Sequence, residues 1–153
     1  MKICLKWFIP ALLLLIGTSC KKNSTPDTTP VTTPDTTKPT ISLVDPTAGM
    51  AYVLGTNIHL QMDLSDNVEL KSYKVVIAKS TKGLQTSDWA YTNTWVLASG
   101  KKTTTVNQSE IAIPLTVTGN QVTVGNYDMT ITCTDTSGNE ATTMLLIVLK
   151  LTN

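Results

Sequence analysis

Gly125-Asn126-Tyr127-Asp128-Met129-Thr130-Ile131-Thr132-Cys133-Thr134 runs into Asp135-Thr136-Ser137-Gly138-Asn139-Glu140-Ala141. In the first part Tyr127, Met129, Ile131 and Cys133 alternate with polar Asp128, Thr130, Thr132 and Thr134. That period of two is the mark of a strand with one face on a core. The second part is made of residues that favour tight turns. After it, apolar residues resume from Ala141 to Leu151, so the two runs are expected to pair as a hairpin.

The same punctuation continues upstream. Ile58, Leu60, Met62 and Leu64 alternate with His59, Gln61 and Asp63, and Tyr73, Val75 and Ile77 alternate with Lys74, Val76 and Ala78. Shorter β-rich runs cover Thr40 to Val44, Tyr91 to Ala98 and Thr105 to Leu115, and no stretch holds a helical period long enough to predict a helix. Seven strands at this spacing predict an all-β, antiparallel Greek-key sandwich over residues 40–153.

The 125–141 stretch resembles the last two strands of bacterial immunoglobulin-like domains, the hyalin-repeat type included. Asp66-Asn67-Val68-Glu69-Leu70-Lys71-Ser72-Tyr73-Lys74-Val75 is similar to a family of bacterial lipoproteins known as a domain of unknown function. The resemblance implies an immunoglobulin-like sandwich in which Tyr127 forms a tyrosine corner, its hydroxyl bonding back to the backbone. It implies no activity, since its motifs are structural.

The amino terminus has a different plan. Lys2 and Lys6 precede the apolar run Trp7 to Ile16, and small residues Gly17-Thr18-Ser19 lead to Cys20. This is the order of a secretory signal, with an apolar run too short to cross a bilayer. The join Leu15-Ile16-Gly17-Thr18-Ser19-Cys20 resembles a bacterial lipobox, which implies a signal peptide over residues 1–19 and lipidation of Cys20. Residues 20–39 are rich in Thr, Pro and Asp and almost free of apolar side chains, so a disordered stalk is expected, reaching roughly 60 Å if extended. Its near-repeated Asp27-Thr28-Thr29 and Asp35-Thr36-Thr37 look like the O-glycosylation acceptor of one bacterial phylum, which would put sugars on Thr28 and Thr36; a plain polar linker is the alternative.

Composition narrows the function classes. The chain has three cysteines, and with Cys4 in the signal and Cys20 lipidated only Cys133 remains, pointing inward as a small hydrophobe. From Thr40 onward seven lysines face nine Asp and Glu, with no arginine anywhere, so no basic stripe for nucleic acid exists. Phosphate-binding glycine loops, Cys-x-x-Cys and His-x-x-x-His are missing. The single histidine, His59, sits opposite the apolar face of its strand with no catalytic partner in view and is expected on the surface.

Two constellations remain. Trp89, Tyr91 and Trp95 share odd numbering and hence one strand face, either as an exposed stacking platform for sugars or a protein anchor, or as core. In a Greek-key sandwich the loop carrying Asp66 and Glu69 meets the loop carrying Asp135 and Asn139, and convergent oxygens of this kind suit calcium. Ordinary turn chemistry explains the same residues without any cofactor. The expectation is a monomeric, non-catalytic binding or structural module, lipid-anchored to the outer membrane. Lys21-Lys22 favours its periplasmic face. A glycan-binding module and a hydrolase using Asp63, Asp66 and Glu69 are the alternatives.

Overall fold

In the computed structural model, residues 33–80 and 85–151 are described. The alternating stretches become long strands: β1 (Thr40–Asp45), β3 (Asn57–Ser65), β4 (Leu70–Lys79), β5 (Tyr91–Val96), β6 (Thr103–Ala112), β9 (Gly125–Asp135) and β10 (Glu140–Lys150). These answer to the seven expected strands. Three short ones were not expected: β2 (Met50–Val53), β7 (Thr116–Val117) and β8 (Asn120–Gln121). Each is too brief for a period of two to stand out.

One sheet has the order β1-β3-β6 and the other β2-β10-β9-β4-β5, while β7 and β8 pair as a separate hairpin. After β1, the chain turns at a cis Asp45–Pro46 bond and changes sheets, so that β2 lies along β10. That pair is parallel, a departure from the expected all-antiparallel arrangement. The remaining ladders are antiparallel.

The inner faces meet in one core. Ile58, Leu60, Met62 and Leu64 of β3, Tyr73, Val75 and Ile77 of β4, Tyr127, Met129, Ile131 and Cys133 of β9, and Leu145, Ile147 and Leu149 of β10 are all buried there. Each fully buried aliphatic contributes about 1.5–3 kcal/mol relative to exposure. These residues fall on alternate positions of their strands, so a one-residue slip of register would turn the whole set to water. β9 is the central strand: it pairs with β10 from Gly125 to Thr134 and with β4 from Tyr127 to Asp135.

Tyr127 is completely buried, and its hydroxyl donates to the carbonyl of Thr123 at 2.7 Å, four residues upstream. The same oxygen accepts from Trp89 N at 3.4 Å, and the Lys79 ammonium lies 4.7 Å from the ring centroid. The tyrosine corner is thus present, tying the approach to β9 and the approach to β5 to one side chain. Replacing Tyr127 by Phe strands the Thr123 carbonyl and the Trp89 amide, so urea denaturation is expected to report a loss of about 1–3 kcal/mol with an unchanged m value.

Candidate metal centre

At one end of the sandwich three carboxylates converge. Asp35, Asp66 and Asp135 each offer an oxygen, and these atoms all lie within 4.8 Å of one another. Asp66 begins the connection from β3 to β4, Asp135 ends β9, and Asp35 lies ahead of β1. The three are far apart in sequence and are gathered by the topology.

Each carboxylate is braced by its own loop. Asp66 Oδ2 accepts from the backbone N–H groups of Val68 and Glu69, both at 2.8 Å, the self-folding habit of an Asx turn. Asp135 Oδ1 accepts from Asn139 N at 2.8 Å and Oδ2 from Asn139 Nδ2 at 2.7 Å. Gly138, at φ 92°, supplies the left-handed step that closes this turn. Asp35 Oδ1 accepts from Thr37 N and from Asn67 Nδ2, both at 3.0 Å. Hydrogen bonding by the Asn67 amide, then by Thr37 N, holds the Asp35 carboxyl below its ordinary pKa, so it stays ionised at neutral pH.

Bracing consumes only part of the oxygen set. Asp35 Oδ2 and Asp66 Oδ1 are shut off from solvent and accept no hydrogen bond. Asp135 is completely buried. A buried carboxylate oxygen without a donor is costly, so these two atoms are able to accept a further donor or a cation. The donors are all hard oxygens, with no imidazole or thiolate among them, which suits calcium over zinc or copper.

The sequence anticipated part of this centre. Asp66 and Asp135 lie close together, and Asn139 bonds to Asp135 through its main-chain N–H and its side-chain amide. Glu69 does not join: its Oε1 accepts from Gly100 N at 2.5 Å and its carbonyl accepts from Thr136 N. Asp35 was missed because it lies in the segment assigned to a disordered stalk. Residues 33–39 are instead ordered against the domain, with Pro39 buried and Asn139 Nδ2 donating to the Asp35 carbonyl at 3.1 Å. Thr36, one expected glycosylation position, is exposed. Thr28, Cys20 and the signal-like run lie outside the described residues.

The aromatic trio is not an exposed platform. Tyr91 and Trp95 of β5 are half-buried and pack against the core, while Asn93 between them is exposed, and Trp89 just ahead of the strand is 5% exposed. Trp95 stacks on Tyr73 with centroids 4.8 Å apart, and Trp89 lies between Tyr91 and Tyr127. Asp63, Asp66 and Glu69 also part company, Asp63 Oδ1 accepting from Thr105 Oγ1 at 2.6 Å. Cys133 is buried, and burial first, then the neighbouring Asp66 and Asp135, pushes its thiol up to about 11. A protonated thiol is a poor nucleophile.

A protein-family model described as a domain of unknown function, DUF4625, matches residues 18–150. No curated protein matches the sequence. Among solved structures, CopC from Methylosinus trichosporium OB3b is similar at 12% identity over 74% of this chain and 97% of that one, with a TM-score of 0.36. A β-glucosidase from Listeria innocua, solved with isofagomine, is similar at 11% identity over 75% of this chain and 17% of that one, with a TM-score of 0.37.

His59 is on the surface as expected, but it is held. Its Nδ1 lies 2.9 Å from Asp45 Oδ2 and its Nε2 2.8 Å from Asn107 Oδ1, joining β3 to both of its neighbours. Two acceptors favour the imidazolium, which donates from both nitrogens, and the Asn107 and Asp45 bonds raise the pKa. A raised folded pKa means that this clip is complete below about pH 6.5, the unfolded value, and is lost as pH climbs through the folded one. In urea melts from pH 5 to 9, the stability gap between the wild type and His59→Gln is expected to be widest at pH 5 and to narrow above neutrality.

Proposed function

The chain belongs to the DUF4625 family, and from that premise we propose that it is a non-catalytic, lipid-anchored module of the bacterial cell envelope whose domain is braced by calcium. The observation that carries the calcium part is the pair of buried, donor-free oxygens, Asp35 Oδ2 and Asp66 Oδ1, beside Asp135. Carboxylates from three separate segments give an ion the several oxygens that calcium prefers, with main-chain carbonyls and water to complete the set. Magnesium, smaller and slower to shed water, is served by fewer carboxylates.

We read the two sheets as an immunoglobulin-like Greek key. The pairing of β3 with β1 and β6, the central position of β9 and the tyrosine corner support that reading. Absence of catalysis is supported by His59, whose ring nitrogens are both engaged by Asp45 and Asn107, and by the dispersal of Asp63, Asp66 and Glu69. Anchoring at Cys20, on the periplasmic face of the outer membrane, is supported by the lipobox-like join and by Lys21-Lys22. The family match begins at residue 18, so it takes in Cys20 and leaves out the apolar run.

Two measurements test this. Full chain stripped with EDTA and titrated calorimetrically is expected to bind one calcium ion. Calcium at about 100 times Kd should stabilise by about 2.7 kcal/mol, roughly 10 °C in Tm for a domain of this size. Asp135→Asn should abolish both effects, and a flat titration with an unmoved Tm in the wild type removes the calcium role. Separately, radiolabelled palmitate fed to expressing cells should enter the protein and not its Cys20→Ala variant. Equal membrane retention of both, without label, would rule out the lipid anchor.

A further inference from the structure

β10 does not alternate in polarity as β3 and β9 do. Met144-Leu145-Leu146-Ile147-Val148-Leu149 is apolar without a break, the pattern of a strand covered on both faces. Only one of its faces is covered within the sandwich. Leu145, Ile147 and Leu149 lie in the core, while Met144 is 67% and Leu146 36% exposed on the other side. Val75-Val76-Ile77-Ala78 of β4 departs from alternation in the same way, leaving Val76 and Ala78 half-buried. The ladders set these two departures side by side: Val76 is opposite Thr130 and Thr130 opposite Met144, and in the next row Ala78 is opposite Asp128 and Asp128 opposite Leu146. The outer face of the other sheet has the contrary character. There His59, Asp63 and Ser65 of β3 are each hydrogen-bonded to a side chain of a neighbouring strand.

We propose that the outer face of β4, β9 and β10 is a dimer interface, on which the chain pairs with a second copy of itself rather than acting as the monomer expected from its sequence. Charge identifies the occupant. From Lys74 to Ala78 on β4, Asp128 to Thr132 on β9 and Thr142 to Val148 on β10, the outward positions carry two charges, Lys74 and Asp128, of opposite sign. Lys74 lies in the row on one side of Val76, Thr130 and Met144, opposite Thr132, and Asp128 in the row on the other side. Their backbone positions are roughly 14 Å apart, too far to pair within one chain. Among the described residues the ion pair is His59 with Asp45, and neither Lys74 nor Asp128 has one. A two-fold axis running along the central row exchanges the flanking rows, which brings Lys74 within one strand spacing of the partner's Asp128 and Asp128 equally near the partner's Lys74. That reciprocal exchange is the mark of an isologous contact. Between the two charge pairs Val76, Met144 and Leu146 leave water together. An unrelated partner has no need of opposite charges set symmetrically about an apolar row. Five strands at about 4.8 Å spacing, the longest of about eleven residues, give this face a plan area on the order of 700 Å², near the roughly 800 Å² per partner of a standard interface.

Sedimentation equilibrium of the full chain in density-matched detergent is expected to show a dimer. Met144→Asp puts an unpaired charge at the centre of the contact and touches no core residue, so it should weaken association at least roughly tenfold with an unchanged urea midpoint. Lys74→Glu sets like charges against each other and should weaken it comparably, and adding Asp128→Lys should restore it. In oxidised intact cells Met144→Cys should give a disulfide-linked dimer, and Thr105→Cys, exposed on β6 of the other sheet, should not. A wild-type chain that sediments as a monomer throughout overturns the proposal. So does a dimer indifferent to Met144→Asp, a double variant that stays as weak as Lys74→Glu, or a Met144→Cys chain that crosslinks only to a different protein.

Discussion

Strand β9 is the constraint on which the rest depends. It bonds to β4 on one side and β10 on the other, so its alternation fixes which faces of three strands look inward. Tyr127, Met129, Ile131 and Cys133 are all completely buried along it. Asp135 continues that odd-numbered series and is completely buried as well. The register that builds the core therefore carries a carboxylate to the end of the core. A buried charge is tolerated only when paired or richly hydrogen-bonded. Asn139 supplies one bond to each of its oxygens through the tight turn that follows, and Asp35 and Asp66 lie close by.

Most of the fold was legible because a half-buried strand writes its geometry into side-chain polarity. β3 and β9 alternate strictly in polarity and β4 does so up to its Val75–Ala78 run, and all three carry their apolar set into the core. β2, β7 and β8 have four residues or fewer, too few for a pattern, and the parallel pairing of β2 with β10 depends on a change of sheet after Asp45–Pro46 that no local signal announces. The odd numbering of Trp89, Tyr91 and Trp95 did reveal a shared direction. That direction could not be known from sequence, because a run rich in both aromatic and polar residues fits either face of a sheet. The ladder to β4, with Tyr91 opposite Ile77 and Trp95 opposite Tyr73, decides it in favour of the core.

The candidate site was half legible for a different reason. Asp66 and Asp135 sit in loops whose composition is ambiguous between turn and ligand, and the expectation of a shared end of the sandwich brought them together. Asp35 was hidden by its surroundings, since a Thr-Pro-Asp segment has little apolar surface and composition alone marks it as unstructured. Its order comes from Asn67, Asn139 and Thr37, polar contacts that hydropathy does not register. The available signal was the inward phase of Asp135. Carrying the alternation of β9 one step past Cys133 would have called for a partner, and the nearest acidic segment ahead of β1 is Asp35.

Many exported domains of this size tie distant segments with a disulfide, which works chiefly by restricting the unfolded chain. Among the described residues the one cysteine, Cys133, is buried and free, so no disulfide ties these segments together. Three carboxylates gather the same kind of distant segments at one end of the sandwich, residue 35 beside 66 and 135.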